Sequence, residues 1–82
     1  MFFIPVFVLC YAMLGECTLQ HHERPLTQVG CAEAIELARR LVMTQPNIWF
    51  GGDCHKVPTH NYVLSSKELF MLKKRLSPGL TK

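Results

Sequence analysis

Four cysteines and four histidines are the residues of this 82-residue chain best suited to bonding chemistry. Cys10, Cys17, Cys31 and Cys54 can pair in an oxidising compartment, or remain reduced or bind metal in the cytosol. Fully paired, they allow three connectivities. For zinc, Cys10 and Cys17 have six residues between them, wider than the usual spacing of roughly two to four. Only His55 and His60, with Cys54 beside them, match a half-site. The expectation is therefore no cofactor, with zinc on Cys54, His55 and His60 as the alternative. Adjacent residues of a strand face apart, so His21 and His22 do not converge on one ion, and Cys54 and His55 do not converge on one reacting atom. No serine or cysteine sits in a pattern marking an activated nucleophile, and the chain is not expected to be an enzyme.

Charge supplies a second kind of chemistry. The net charge is +3, unevenly spread. Residues 1–54 carry Arg24, Arg39 and Arg40 against Glu16, Glu23, Glu33, Glu36 and Asp53, a net of −2. Residues 55–82 carry Lys56, Lys67, Lys73, Lys74, Arg75 and Lys82 against Glu68 alone, a net of +5. Lys67, Lys73, Lys74 and Arg75 are the candidate partner-binding residues, suited to an acidic protein surface or to a phosphate backbone. Neither a helix-turn-helix signature nor an aromatic platform accompanies them, so any nucleic-acid contact would be nonspecific.

The elements that position these residues begin with Phe2–Leu14, an uncharged and mostly apolar run. It is shorter than the roughly 20 residues a spanning helix needs. Gly15 and Cys17 fit the small residues of a signal-peptidase site, but no lysine or arginine precedes Arg24. Its β-branched and aromatic residues suit a strand covered on both faces, with Pro5 near the start. Cys17, Leu19 and His21 alternate with polar residues and predict a strand returning antiparallel to the first.

From Gln28 the pattern turns helical, with Thr27 as N-cap and Cys31, Ala34, Ile35, Ala38, Leu41 and Val42 on one stripe. Glu36 and Arg40 form an i,i+4 pair on the other face. Gly51-Gly52-Asp53 reads as a tight turn opening a short third strand from Cys54 to Val57. Tyr62, Val63 and Leu64 carry some strand character. Ser65 with Glu68 makes a capping box for a final helix to about Leu76, ended by Pro78-Gly79, with Leu69, Leu72 and Leu76 on one face. The predicted architecture is α+β: a small antiparallel sheet in strand-strand-helix-strand order, a packed amphipathic helix, and a basic carboxy-terminal helix. It divides into a cysteine-containing body, residues 1–58, and a connector with helix, residues 59–82. Packing the first turn of the long helix on the strand after Gly-Gly, to hide Ile35, Ala38 and Trp49, should bring Cys31 near Cys54. A bridge there is the candidate disulfide.

Phe7-Val8-Leu9-Cys10-Tyr11, Gly15-Glu16-Cys17, a cysteine opening an amphipathic helix, and Gly51-Gly52-Asp53-Cys54 leading a strand together resemble a family of short proteins encoded by enterobacterial prophages and lambda-like phages. The resemblance covers Phe7 to about Val57. Members have a shorter helix-to-Gly-Gly segment and no matching basic helix. The resemblance implies that the amino-terminal stretch is kept as a strand and implies no activity. The expectation that follows is a non-catalytic phage or prophage accessory protein in the bacterial cytoplasm, binding a host macromolecule and most simply a host protein. The competing reading is a small secreted peptide, mature from about Thr18, held by a Cys31–Cys54 disulfide.

Overall fold

The computed structural model describes residues 1–77. Its elements are β1 (Phe2–Tyr11), β2 (Glu16–His21), α1 (Gln28–Val42), β3 (Ile48–Val57) and α2 (Ser66–Leu76). The strands form one antiparallel sheet in the order β2-β1-β3, so the fold is α+β and its central strand is the first element. Pro78-Gly79, read as the stop of the last helix, and Lys82 lie outside the described residues.

β1 occupies the centre because it has apolar side chains to offer both faces. Ile4, Val6, Val8 and Cys10 are buried on one face. Pro5 is buried on the other, where Phe3, Phe7, Leu9 and Tyr11 are half-buried. Pro5 is tolerated in a central strand because of the phase of the ladder. The backbone groups of Phe3 exchange bonds with Leu26, and the Pro5 carbonyl accepts from the His22 N–H. Odd-numbered positions of β1 therefore turn their polar groups toward β2, and even-numbered ones toward β3. The nitrogen of Pro5 points to where β2 has already ended, and no bond to β3 is lost.

The two helices cover opposite faces of the sheet. α2 lies on the even-numbered face, where Leu72 and the preceding Leu64 join Ile4, Val6 and Val57 in the core, with Leu69 and Leu76 packed against it. Residues 59–77 thus share their core with the first strand. α1 lies on the other face, tied to β3 through Cys31 and Cys54. Thr27 caps it by accepting the Gly30 N–H, and Glu36 pairs with both Arg39 and Arg40 on its outer side.

Four sequence expectations need correction. Gly51-Gly52-Asp53 is no turn: β3 runs unbroken from Ile48 to Val57, paired with β1 along its length. Positive φ occurs instead at Gly15 in the β1–β2 turn and at Asn47 before β3. The glycines are needed for close approach from both sides. A Cβ on Gly52 would stand 3.0 Å from a methyl of Ile35 on α1, and one on Gly51 would meet the Trp49 ring and, at 3.1 Å, the Leu76 carbonyl on α2. Trp49, expected to be hidden under the long helix, lies on the opposite face and is 40% exposed, because its register with Cys10 puts it on the even-numbered side. Leu41, placed on the buried stripe, is 66% exposed. It lies on the flank of the buried arc centred on Cys31, Ile35, Ala38 and Val42, and a three-stranded sheet is too narrow to cover that flank. The segment 62–64 is irregular rather than extended, with Leu64 buried and Val63 exposed.

Gly52→Val tests the close-approach argument. It should lower stability by about 1–3 kcal/mol by lifting α1 from the sheet. The check is thermal unfolding followed by circular dichroism, with an unchanged midpoint counting against the packing described.

Candidate functional site

α2 is the best-defined candidate surface. Ser65 accepts the Glu68 N–H while the Glu68 carboxylate accepts the Ser65 N–H, closing the capping box that the sequence shows. With Leu72 buried and Leu69 and Leu76 half-buried against the sheet, the opposite face turns Lys67 and Lys74 to solvent, with Lys73 and Arg75 exposed at its two borders. The structure therefore leaves all four candidate partner-binding residues exposed around the outer side of α2. It adds two the charge pattern had not singled out, Phe70 at 70% and Met71 at 61% exposure. Helical spacing was the available signal, since steps of about 100° per residue put Phe70 between Lys73 and Lys74 around the helix. Cations in a last turn also favour the helix dipole. That accounts for Lys73, Lys74 and Arg75 but leaves an exposed Phe and Met without a purpose in the monomer.

Beside this face, a groove of about 550 Å³ opens between α2 and β3, lined by His55, Glu68, Met71, Leu72 and Arg75 among others. Two polar contacts bracket it. The Arg75 guanidinium stands 3.7 Å from the Asp53 carboxylate, both well exposed. His55 Nε2 lies 3.6 Å from Glu68 Oε2, and the Tyr62 hydroxyl donates to the same carboxylate at 2.8 Å. The Ser65 N–H and then the Tyr62 hydroxyl hold the Glu68 carboxyl below its ordinary value near 4.5, and the same bond raises Tyr62. A depressed carboxyl pKa adds stability above the unfolded value, lost as pH falls through the folded one. Unfolding midpoints should therefore drop below about pH 4.5. Glu68→Gln, which keeps the cap geometry, should flatten that drop, leaving the share due to Glu36, whose carboxyl Arg39 lowers. Parallel curves for variant and parent would contradict the assignment.

The cysteines form two disulfides. Cys31–Cys54, with Cα atoms 6.0 Å apart, joins the first turn of α1 to β3. Cys10–Cys17, with Cα atoms 4.0 Å apart, crosses the β1–β2 hairpin. The second pair was not singled out from the sequence. Its signal was present, because a tight turn around Gly15 makes the two residues direct partners. They occupy a non-hydrogen-bonded pair of the ladder, the closer of the two types. Of the zinc set, Cys54 is bonded to Cys31 on the α1 face, His55 faces α2, and His60 lies against the Phe2 ring at 5.9 Å. They do not converge, and among the described residues no cluster of three metal-ligating side chains exists. No described helix is long and apolar enough to cross a membrane.

No protein family matches the chain, and neither a curated protein nor a solved structure does so.

Proposed function

We propose that this is a non-catalytic binding protein that presents the exposed side of α2 to an acidic partner protein. The observation that carries the proposal is the coincidence of Phe70 and Met71 with Lys67, Lys73, Lys74 and Arg75 on one solvent-facing surface. Aromatic, Met and Arg side chains supply the desolvated contact of an interface, and the lysines around them supply steering. The prophage resemblance supports a host protein as that partner and an accessory role for the protein. The test is Lys73→Ser/Lys74→Ser/Arg75→Ser, which should leave the fold intact and reduce capture of the partner from nuclease-treated host extract by about tenfold at low salt. Equal capture by variant and parent at low and high salt would remove α2 as the interface. Loss of capture on nuclease treatment alone would move the partner to nucleic acid.

The two disulfides favour a second reading, in which the folded protein works in an oxidising compartment. In that reading β1 is retained, because it carries Cys10. Intact mass of natively produced protein separates the readings: two disulfides remove four hydrogens, and a form starting near Thr18 lacks β1.

A further inference from the structure

The outer edge of β3 is open along the groove beside α2. The ladder phase set by the bonds of Phe3 and Pro5 directs the backbone groups of Ile48, Phe50, Gly52, Cys54 and Lys56 away from β1. Among the described residues, no further strand pairs with that edge. One of the outward N–H groups is satisfied in an unusual way: Cys54 donates to the side chain of its own neighbour, Asp53 Oδ1, at 2.8 Å. The other carboxylate oxygen of Asp53 faces Arg75 across the groove mouth at 3.7 Å. One carboxylate thus covers a vacant ladder donor and the cation beside it, the two groups an added strand bearing an acidic residue would engage.

We propose that an extended, acidic peptide segment of a partner adds to β3 as a fourth strand, displacing Asp53. Its backbone carbonyl takes the Cys54 N–H, and its carboxylate takes Arg75, with Lys74 adjacent. Side chains of an added strand alternate between faces, so the residue two positions from that acid also turns toward α2. There the groove offers an apolar floor of Met71 and Leu72. The segment recognised therefore has an apolar residue and a carboxylate two positions apart. Positive charge at the same place is excluded by Arg75 and Lys74. Asp53 holds the edge closed in the free protein, as charged side chains on edge strands commonly do. The inference rests on α2 being the binding helix and specifies what binds beside it.

The probe is the acetylated, amidated heptapeptide Thr-Thr-Leu-Thr-Glu-Thr-Thr, titrated into the 15N-labelled full chain. Amide shifts are expected at Phe50, Gly52, Cys54 and Lys56 together with Met71. N-methylating alternate amides, so that the peptide cannot pair, should weaken binding at least about tenfold, and replacing its glutamate by lysine should do the same. Asp53→Ala should tighten binding severalfold, since the peptide no longer has a competitor. Absence of edge shifts at millimolar peptide, equal affinity of the N-methylated peptide, or unchanged affinity in Asp53→Ala would overturn strand addition. Shifts confined to Lys67, Phe70 and Lys73, and lost in the triple serine variant, would overturn it while leaving charge-driven capture by α2 standing.

Discussion

A chain lacking residues 1–14 should show no cooperative unfolding transition. Among the described residues β2 and β3 each pair only with β1, so removing it leaves two strands with no ladder partner. The deletion also removes Ile4, Val6, Val8 and Cys10, four of the eight buried hydrophobic residues among those described. Each full burial of such a side chain is worth about 1.5–3 kcal/mol. A domain of this length has a total stability of only about 4–12 kcal/mol, so the loss is of the same size as the whole. A single substitution makes the same point without shortening the chain. Val6→Asp puts a carboxylate at a site with 0% exposure, and no cation stands among the core residues around it to pair with it. Both variants are checked by near-ultraviolet circular dichroism and a thermal melt against the parent. A sigmoidal melt from the truncated chain would show that the remaining elements hold a core of their own.

The parts of this architecture legible in the sequence are those fixed by local rules. Thr27 and the Ser65–Glu68 box announce helix starts because an N-cap is satisfied within a few residues. The composition of Phe2–Tyr11 announces a strand covered on both faces for the same kind of reason. The unbroken course of β3 is not legible, because Gly-Gly is a turn signal in most local contexts. Here its meaning is set by Ile35 from one helix and Leu76 from the other, which only the assembled layers bring near. The side taken by Trp49 likewise depends on its register with Cys10. At the candidate site, the lysines are legible as charge, and Phe70 and Met71 as angular positions on a helix. The contacts Asp53–Arg75 and His55–Glu68 join segments with no local relation, and no spacing rule reaches them.

The disulfides should differ in worth, and the long-range one should matter more. Replacing Cys31 and Cys54 together by alanine removes a link across a sequence separation of 23, worth roughly 3 kcal/mol in the chain-entropy account. Cys10–Cys17 spans a separation of 7, worth roughly 2 kcal/mol on the same account. Its loop is also already closed by the bonds of the hairpin, including Gly15 N–H to the Tyr11 carbonyl at 2.8 Å. The structural context widens the difference. α2 inserts Leu72 into the core, whereas α1 has only one fully buried residue, Cys31 itself. Without the bridge, α1 is held by the half-buried Ala34, Ile35, Ala38 and Val42 on a narrow sheet. Urea unfolding of the two double-alanine variants measures the order directly, and the Cys31/Cys54 variant should have the lower midpoint. Its slope should also fall if α1 detaches before the sheet unfolds, because less surface is then exposed in the main transition. A lower midpoint for the Cys10/Cys17 variant would mean that the hairpin, and not the attachment of α1, is the weakest joint of the fold.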